Sequence, residues 1–324
     1  MSRTEPYALG IDLGGTNIKF VIVEEDGTIR ERIQRETGDR PEITVGADAT
    51  DVDPAEAGVQ SRWAGAIQNE TRAIQERCGP AAWMGLAAPG LAARDARSIA
   101  FMPGRLPGLE GLDWSRFLEA PAAVPVLNDT HAALMGEAWL GAAAGVQDAI
   151  LLTLGTGVGG GILSDGRLIR GHIGRAGHLG HTSLDPRGAP DICGAPGSLE
   201  DAIGDCTLPR RAAGRYTSTK EMVEAYRQGD AFAAYVWLQS VYDLACAVAS
   251  FINILDPEVV VLGGGIARAG EDLFEPLKQF LSDIEWQPGG HQAKIVPATL
   301  GEYAGALGAA RYAMLFDHPT MSVK

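Results

Sequence analysis

Short apolar runs broken by glycine turns set the pattern of this chain. Residues 7–11 (Tyr-Ala-Leu-Gly-Ile) lead into Asp12-Leu-Gly14-Gly15-Thr16-Asn-Ile-Lys19. Phe20-Val-Ile-Val follows, then Asp26-Gly27 and another apolar pair. Runs this short, rich in β-branched residues and bounded by glycine, predict strands. The order recurs about half a chain later. Residues 149–154 (Ala-Ile-Leu-Leu-Thr-Leu) lead into Gly155-Thr156-Gly157-Val-Gly159-Gly160-Gly161, then Ile-Leu-Ser and Asp165-Gly166. Two copies of one glycine-turned hairpin predict two related α/β domains facing each other across a cleft. Glycine lets backbone approach a ligand closely, and exposed amides in such a turn form an anion-binding nest.

Further elements follow from period and punctuation. Val59, Trp63, Ile67 and Ile74 recur at three- and four-residue spacing and predict a helix over 54–77, stopped by Gly79-Pro80. Strands are expected at 83–88, ending in Pro89-Gly90-Leu91, and at 124–127, ending in Asn128-Asp129. Residues 217–222 open a capped helix, and 230–255 form a long, mostly apolar one that Asp256-Pro257 ends. A buried strand at 259–262 runs into Gly263-Gly264-Gly265. Lys294 opens the last strand, and a small-residue helix over 300–315 is expected to return to the first domain. Gly155-x-Gly157-x-x-Gly160 fits the dinucleotide fingerprint, but that fingerprint needs a helix at its last glycine. Here the Asp165-Gly166 turn signals a strand instead, so a Rossmann site is rejected.

Strand ends are where α/β proteins keep their chemistry. Asp129 is the candidate general base, with Asn128 beside it; the alternative is that the pair caps the next helix. Asp12 is the only charge in its strand and reads either as a turn-forming residue or as a carboxylate beside a metal–phosphate site. Lys19 could neutralise phosphate or pair with a carboxylate. Residues 38–58 are acidic and proline-bearing but lack calcium-loop spacing, so a solvated loop is expected.

Composition narrows the class. The 324 residues are 46% hydrophobic with 42 glycines, ordinary for a two-domain α/β enzyme. Lys and Arg total 27 against 41 acidic residues, a net charge of −14, which argues against a nucleic-acid partner. Cys78, Cys193, Cys206 and Cys246 are scattered. With no leader and no apolar run of membrane-spanning length, a reduced cytoplasmic setting without membrane contact is expected.

Taken together, Asp12-x-Gly14-Gly15-Thr16-x-x-Lys19, Asn128-Asp129, Leu154-Gly-Thr-Gly-x-Gly-Gly160, Gly180-His181 and Gly263-Gly264-Gly265 resemble the ROK family of bacterial sugar kinases and sugar-responsive repressors. The resemblance covers roughly residues 7–314. It implies two actin/hexokinase-like (ribonuclease H-like) domains. The first would span 1–122, completed by the C-terminal helix (about 300–324), and the second 123–299. It implies a glucokinase-like, Mg-ATP-dependent kinase for a hexose or amino-hexose, working as a homodimer. Asp129 would act as base on the primary hydroxyl. Gly90, Asn128, His178, His181 and Glu200 would bind the sugar. Asp12, Gly14, Gly15, Thr16, Lys19, Thr156, Gly157, Gly264 and Gly265 would serve ATP and its Mg2+. The short polar stretch before Tyr7 leaves no room for a helix-turn-helix, against the repressor branch.

Three departures stand out. Arg105 occupies a position where family sugar kinases carry Asn, and there it could bind hydroxyls or an anion, or point outwards. His178 replaces a sugar-gripping Glu; neutral His donates one hydrogen bond and accepts one, where Glu only accepts. Asp191 and Ser198 replace two cysteines of the family's zinc loop, leaving His181 and Cys193, so structural zinc is not expected. The alternative to a kinase is a catalytically silent sugar or nucleotide sensor of the same fold.

Overall fold

The computed structural model describes residues 5–38 and 61–316. Most of the acidic stretch and the start of the helix expected from residue 54 lie outside them. The chain divides into two compact units: Met1–Leu140 with Arg170–Arg175 and Glu302–Met321, and Gly141–Ile169 with Ala176–Gly301 and Ser322–Lys324.

The first unit holds β1 (Tyr7–Leu13), β2 (Asn17–Glu24), β3 (Ile29–Glu36), β4 (Trp83–Ala88) and β7 (Val126–Asn128), with a separate two-stranded pair, β5 (Leu91–Ala92) and β6 (Ile99–Phe101). The main sheet runs β3-β2-β1-β4-β7. Its first three strands are antiparallel, and β4 and β7 are parallel to β1. Apart from Asp12, β1 is buried along its whole length, as a central strand covered on both faces must be. Helix α1 (Arg62–Cys78) turns Trp63, Ile67 and Ile74 inwards. Trp63 meets Trp114 of α2 (Trp114–Phe117), ring centroids 5.9 Å apart. Helix α3 (Asp129–Leu140) starts where β7 stops.

The second unit repeats the plan. Strands β8 (Ala149–Leu154), β9 (Val158–Ser164), β10 (Arg167–Leu168), β11 (Val259–Gly263) and β12 (Lys294–Pro297) run β10-β9-β8-β11-β12, antiparallel through β8 and parallel beyond it. Asp165 and Gly166 both take positive φ, 50° and 68°, as the two-residue hairpin turn requires. Its helices are α4 (Leu199–Ile203), α5 (Leu208–Arg211), α6 (Thr219–Arg227), α7 (Ala231–Leu255) and α8 (Glu271–Ile284). By length and composition α7, at mean hydropathy 1.5 over its apolar window, could cross a bilayer, contrary to the sequence expectation. Half of that window is buried, and Trp237, Leu244 and Val248 join one core with Ile150 and Val260.

Helix α9 (Ala304–Phe316) belongs to the first unit, as expected of the returning C-terminal helix. It lies against β1, β4 and α3. Contact is backbone to backbone: a β-carbon on Gly10 would fall on the Ala306 carbonyl, and one on Gly308 on the Ala132 carbonyl. This corrects the expected boundary. The division falls after Leu140, not residue 122, because β7 pairs with β4 and α3 packs on α9. The candidate base therefore sits in the first unit.

Candidate active site

Parallel pairing decides which residues meet. In the first unit Asp12 lies opposite Ala87 and Ala88 opposite Asn128, so Asp12, Gly90 and Asn128-Asp129 share one edge of the sheet. Asn128 is buried and spends its amide on the fold. Its Oδ1 accepts from the Thr130 and His131 amides at 3.0 and 3.3 Å, capping α3, and its Nδ2 donates to the Gly90 carbonyl at 3.0 Å. The capping alternative thus holds for Asn128. Asp129 is exposed, and its Oδ1 accepts from the Thr130 amide at 2.7 Å and hydroxyl at 3.3 Å. The carboxylate is aimed by its own neighbour.

Asp12 is half-buried beside them. Burial pushes its carboxyl up to about 7, with Lys19 pulling down and Asp129 pushing up. Lys19 faces it across the hairpin. Gly305, in the first turn of α9, leaves room for the Asp12 carboxylate, which a β-carbon there would approach at 2.8 Å. In the glycine turn, Thr37 ties down the carbonyls: its hydroxyl donates to Gly14 at 2.7 Å and its amide to Thr16 at 2.9 Å. Among the described residues the Gly15 and Thr16 amides have no such bond.

The second unit repeats the device. The Asp205 and Cys206 amides hold the Gly155 and Thr156 carbonyls, each at 2.9 Å. Thr156 and Gly265 line a cavity of about 560 Å³ with Lys220, Arg227 and Arg268. Those three cations were missed by sequence reading: 217–222, which holds Lys220, offered only a helix cap, and no motif marked Arg227 or Arg268. Gly264, at φ 88°, packs on the Leu154 backbone, where no β-carbon would fit. Gly157 faces the Glu200 carboxylate, whose Oε2 accepts from the Val158 amide at 2.9 Å. Glu200 is thus built into the hairpin.

His178 is half-buried, with its carbonyl accepting from the His181 amide at 3.3 Å. His181 turns into the neighbouring loop. Its Nδ1 lies 2.8 Å from Asp191 Oδ2 and its Nε2 3.4 Å from Cys193 Sγ.

His181, Asp191 and Cys193 bring three metal-donor atoms within 4.8 Å of one another. A structural zinc site wants four, two or more of them thiolates in the sulfur-rich sets. Here Asp191 Oδ1 is taken by the Cys193 and Ala195 amides at 2.8 and 2.9 Å, and Oδ2 by His181. The Ser198 hydroxyl accepts from the Asp201 amide at 3.3 Å as the cap of α4. Burial and the Asp191 and Glu200 charges push the Cys193 thiol up. The set does not fit structural zinc. Burial alone would raise the Asp191 carboxyl, but hydrogen bonds from His181, Ser198 and the two amides outweigh it and hold it below the usual range.

The model of the ROK family matches residues 8–315. The chain is 33% identical over 322 residues to the glucokinase of Thermotoga maritima, covering 93% of this chain and 95% of that protein. Its fold is similar to that of a ROK hexokinase from Thermus thermophilus, with a TM-score of 0.81 and 31% identity over 97% of this chain and 99% of that one. A ROK family glucokinase from Streptomyces griseus, solved with glucose and AMPPNP, matches with a TM-score of 0.71 and 26% identity over 95% and 99%.

Proposed function

The chain belongs to the ROK family, and from that premise we propose that it is an ATP-dependent sugar kinase acting on the primary hydroxyl of a hexose or amino-hexose. The observation that carries the reading is Asp129. It is an exposed carboxylate at a strand end, oriented by Thr130, beside a glycine turn whose Gly15 and Thr16 amides have no acceptor among the described residues. Phosphoryl transfer asks little covalent work of a protein; it needs position, charge neutralisation and an acceptor for the nucleophile's proton. Asp129 takes that proton. Asn128 fixes the edge on which Asp129 stands, through its bonds to α3 and Gly90.

Asp12 is suited to Mg2+ of the Mg-ATP substrate: an oxygen donor with no hydrogen bond among the described residues, beside a second carboxylate. The cavity lined by Thr156, Gly265, Lys220 and Arg268 suits the nucleotide, with a glycine turn at one side and cations for an anionic chain. The names of the relatives, glucokinase and hexokinase, support a neutral hexose as acceptor. A cytoplasmic homodimer is part of the same reading and rests on the family alone.

One observation favours a silent sensor. Both ring nitrogens of His181 face the loop residues Asp191 and Cys193, which removes an expected sugar contact. ADP release with Mg-ATP across hexoses, amino-hexoses, N-acetylhexosamines and polyols decides between them. Turnover with one acceptor class, lost in Asp129→Asn, is expected. Turnover that ignores both sugar and Asp129 would sink the kinase reading.

A further inference from the structure

Arg105 lies on the loop between β6 and α2, and that loop is built to hold one residue out. Gly104 and Gly108 take φ of 76° and 84° around it, and Leu106, which carries a side chain, takes 49°. A left-handed leucine is costly and persists only where its surroundings impose it. Here Leu106 and Leu109 are buried to 1% and 0% exposure, and the Leu109 amide bonds the Leu106 carbonyl at 3.0 Å. The backbone is pinned on both sides of an exposed arginine.

The side chain reaches the first glycine turn. A β-carbon on Gly15 would fall on Arg105 Nη2. Yet among the described residues the guanidinium makes no hydrogen bond and no ion pair, although the chain carries a net charge of −14. Among the described residues, three donors in this region therefore lack acceptors: the amides of Gly15 and Thr16, and the Arg105 fork that reaches Gly15. Guanidinium matches two oxygens of a phosphate in one plane, and backbone amides supply a fixed cradle.

We propose that Arg105 binds the phosphoryl group in transfer, as the third donor beside the Gly15 and Thr16 amides. The inference rests on the kinase reading. In the step, the acceptor oxygen forms a bond to the γ-phosphorus and the bond from that phosphorus to the β–γ bridging oxygen breaks. ADP leaves with the electron pair, and the hydroxyl proton goes to Asp129. Arg105 keeps its proton throughout and offsets the charge on the equatorial oxygens.

The test compares the wild-type protein with Arg105→Asn and Arg105→Lys in Mg2+, titrating AMPPNP and ADP by calorimetry beside steady-state kinetics. Only AMPPNP carries a γ-phosphoryl group. In Arg105→Asn, affinity for AMPPNP is expected to fall about tenfold while that for ADP holds within about twofold. The kcat is expected to fall about a hundredfold with little change in the sugar KM. Arg105→Lys keeps the charge without the fork and recovers part of the loss. Equal loss for both nucleotides, an unchanged kcat, or a rise in sugar KM alone would overturn the assignment; the last would mark a contact to the acceptor, anionic or neutral. The kinase reading fails separately, through absence of sugar-dependent ADP release in the wild type. The nucleotide difference still reports on Arg105 in that case.

Discussion

The two glycine turns share a backbone and differ in charge. Each joins the first two strands of a five-stranded sheet of the same order, carries an exposed threonine at its tip, and has its carbonyls tied down from behind. In the first, a cation lies over Gly15; in the second, an anion lies against Gly157. Among the described residues the Arg105 end has no bonding partner, whereas the Glu200 carboxylate is anchored to the Val158 amide at 2.9 Å. A glycine turn therefore offers amides but does not by itself decide what approaches them. The two turns differ in the side chain that lies above them, and Glu200 braces the second hairpin through the Val158 amide. In the second unit the cations stand instead around the cavity, where Lys220, Arg227 and Arg268 accompany Thr156.

The largest effect that probes this contrast is expected on the first unit's edge. Asp129→Asn should lower kcat about a thousandfold with the sugar KM little changed, because an amide takes no proton. Steady-state kinetics with the preferred acceptor reads it directly.

Asp12 comes next, and its sign is fixed by linkage. Its folded value of about 7 stands above the usual carboxylate value, so between roughly pH 4 and pH 7 the unfolded chain releases a proton that the folded protein keeps. Stability then falls as pH rises through that window, by at most about 4 kcal/mol from this group. Asp12→Asn should raise the Tm at pH 8 and flatten the profile between pH 4 and pH 7. A parallel decline in both proteins would refute the buried-acid account.

Alanine at each central glycine sharpens the comparison. Gly157→Ala drives a methyl onto a tethered carboxylate and should cost about 1.5–3 kcal/mol, the range for a hydrogen bond to a charged group. Gly15→Ala meets only the far end of a long arginine that has no partner among the described residues. It should move stability by under about 0.5 kcal/mol while lowering turnover. Equal melting shifts would erase the distinction between the turns.

A further effect concerns the loop that His181 enters. Asp191→Ala removes the acceptor for two amides and for His181, and should lower stability by about 1–2 kcal/mol. A chelator should leave the wild-type Tm where it was. A chelator-induced drop would restore zinc to the loop.

Local chemistry was legible without coordinates. Alternating short apolar runs, Asp26-Gly27 and Asp165-Gly166, and the glycines of both turns announced two hairpins and the repeat, because turn geometry and strand period are properties of neighbouring residues. Asn128-Asp129 was visible as a polar pair at a strand end. Which of the pair caps and which stays exposed was not, since that depends on the orientation of β7 and α3. The domain boundary was misplaced because nothing near residue 122 shows that α3 will pack on α9, a helix more than 160 residues further on. Arg105 reaching Gly15, and Lys220 meeting Thr156 in one cavity, join residues far apart in the chain. Sequence alone thus determined the strands, the turns and the residue types at their ends. Tertiary structure decided which charge stands over which turn, because sheet register and helix packing, not local propensity, set the distances at which charges act.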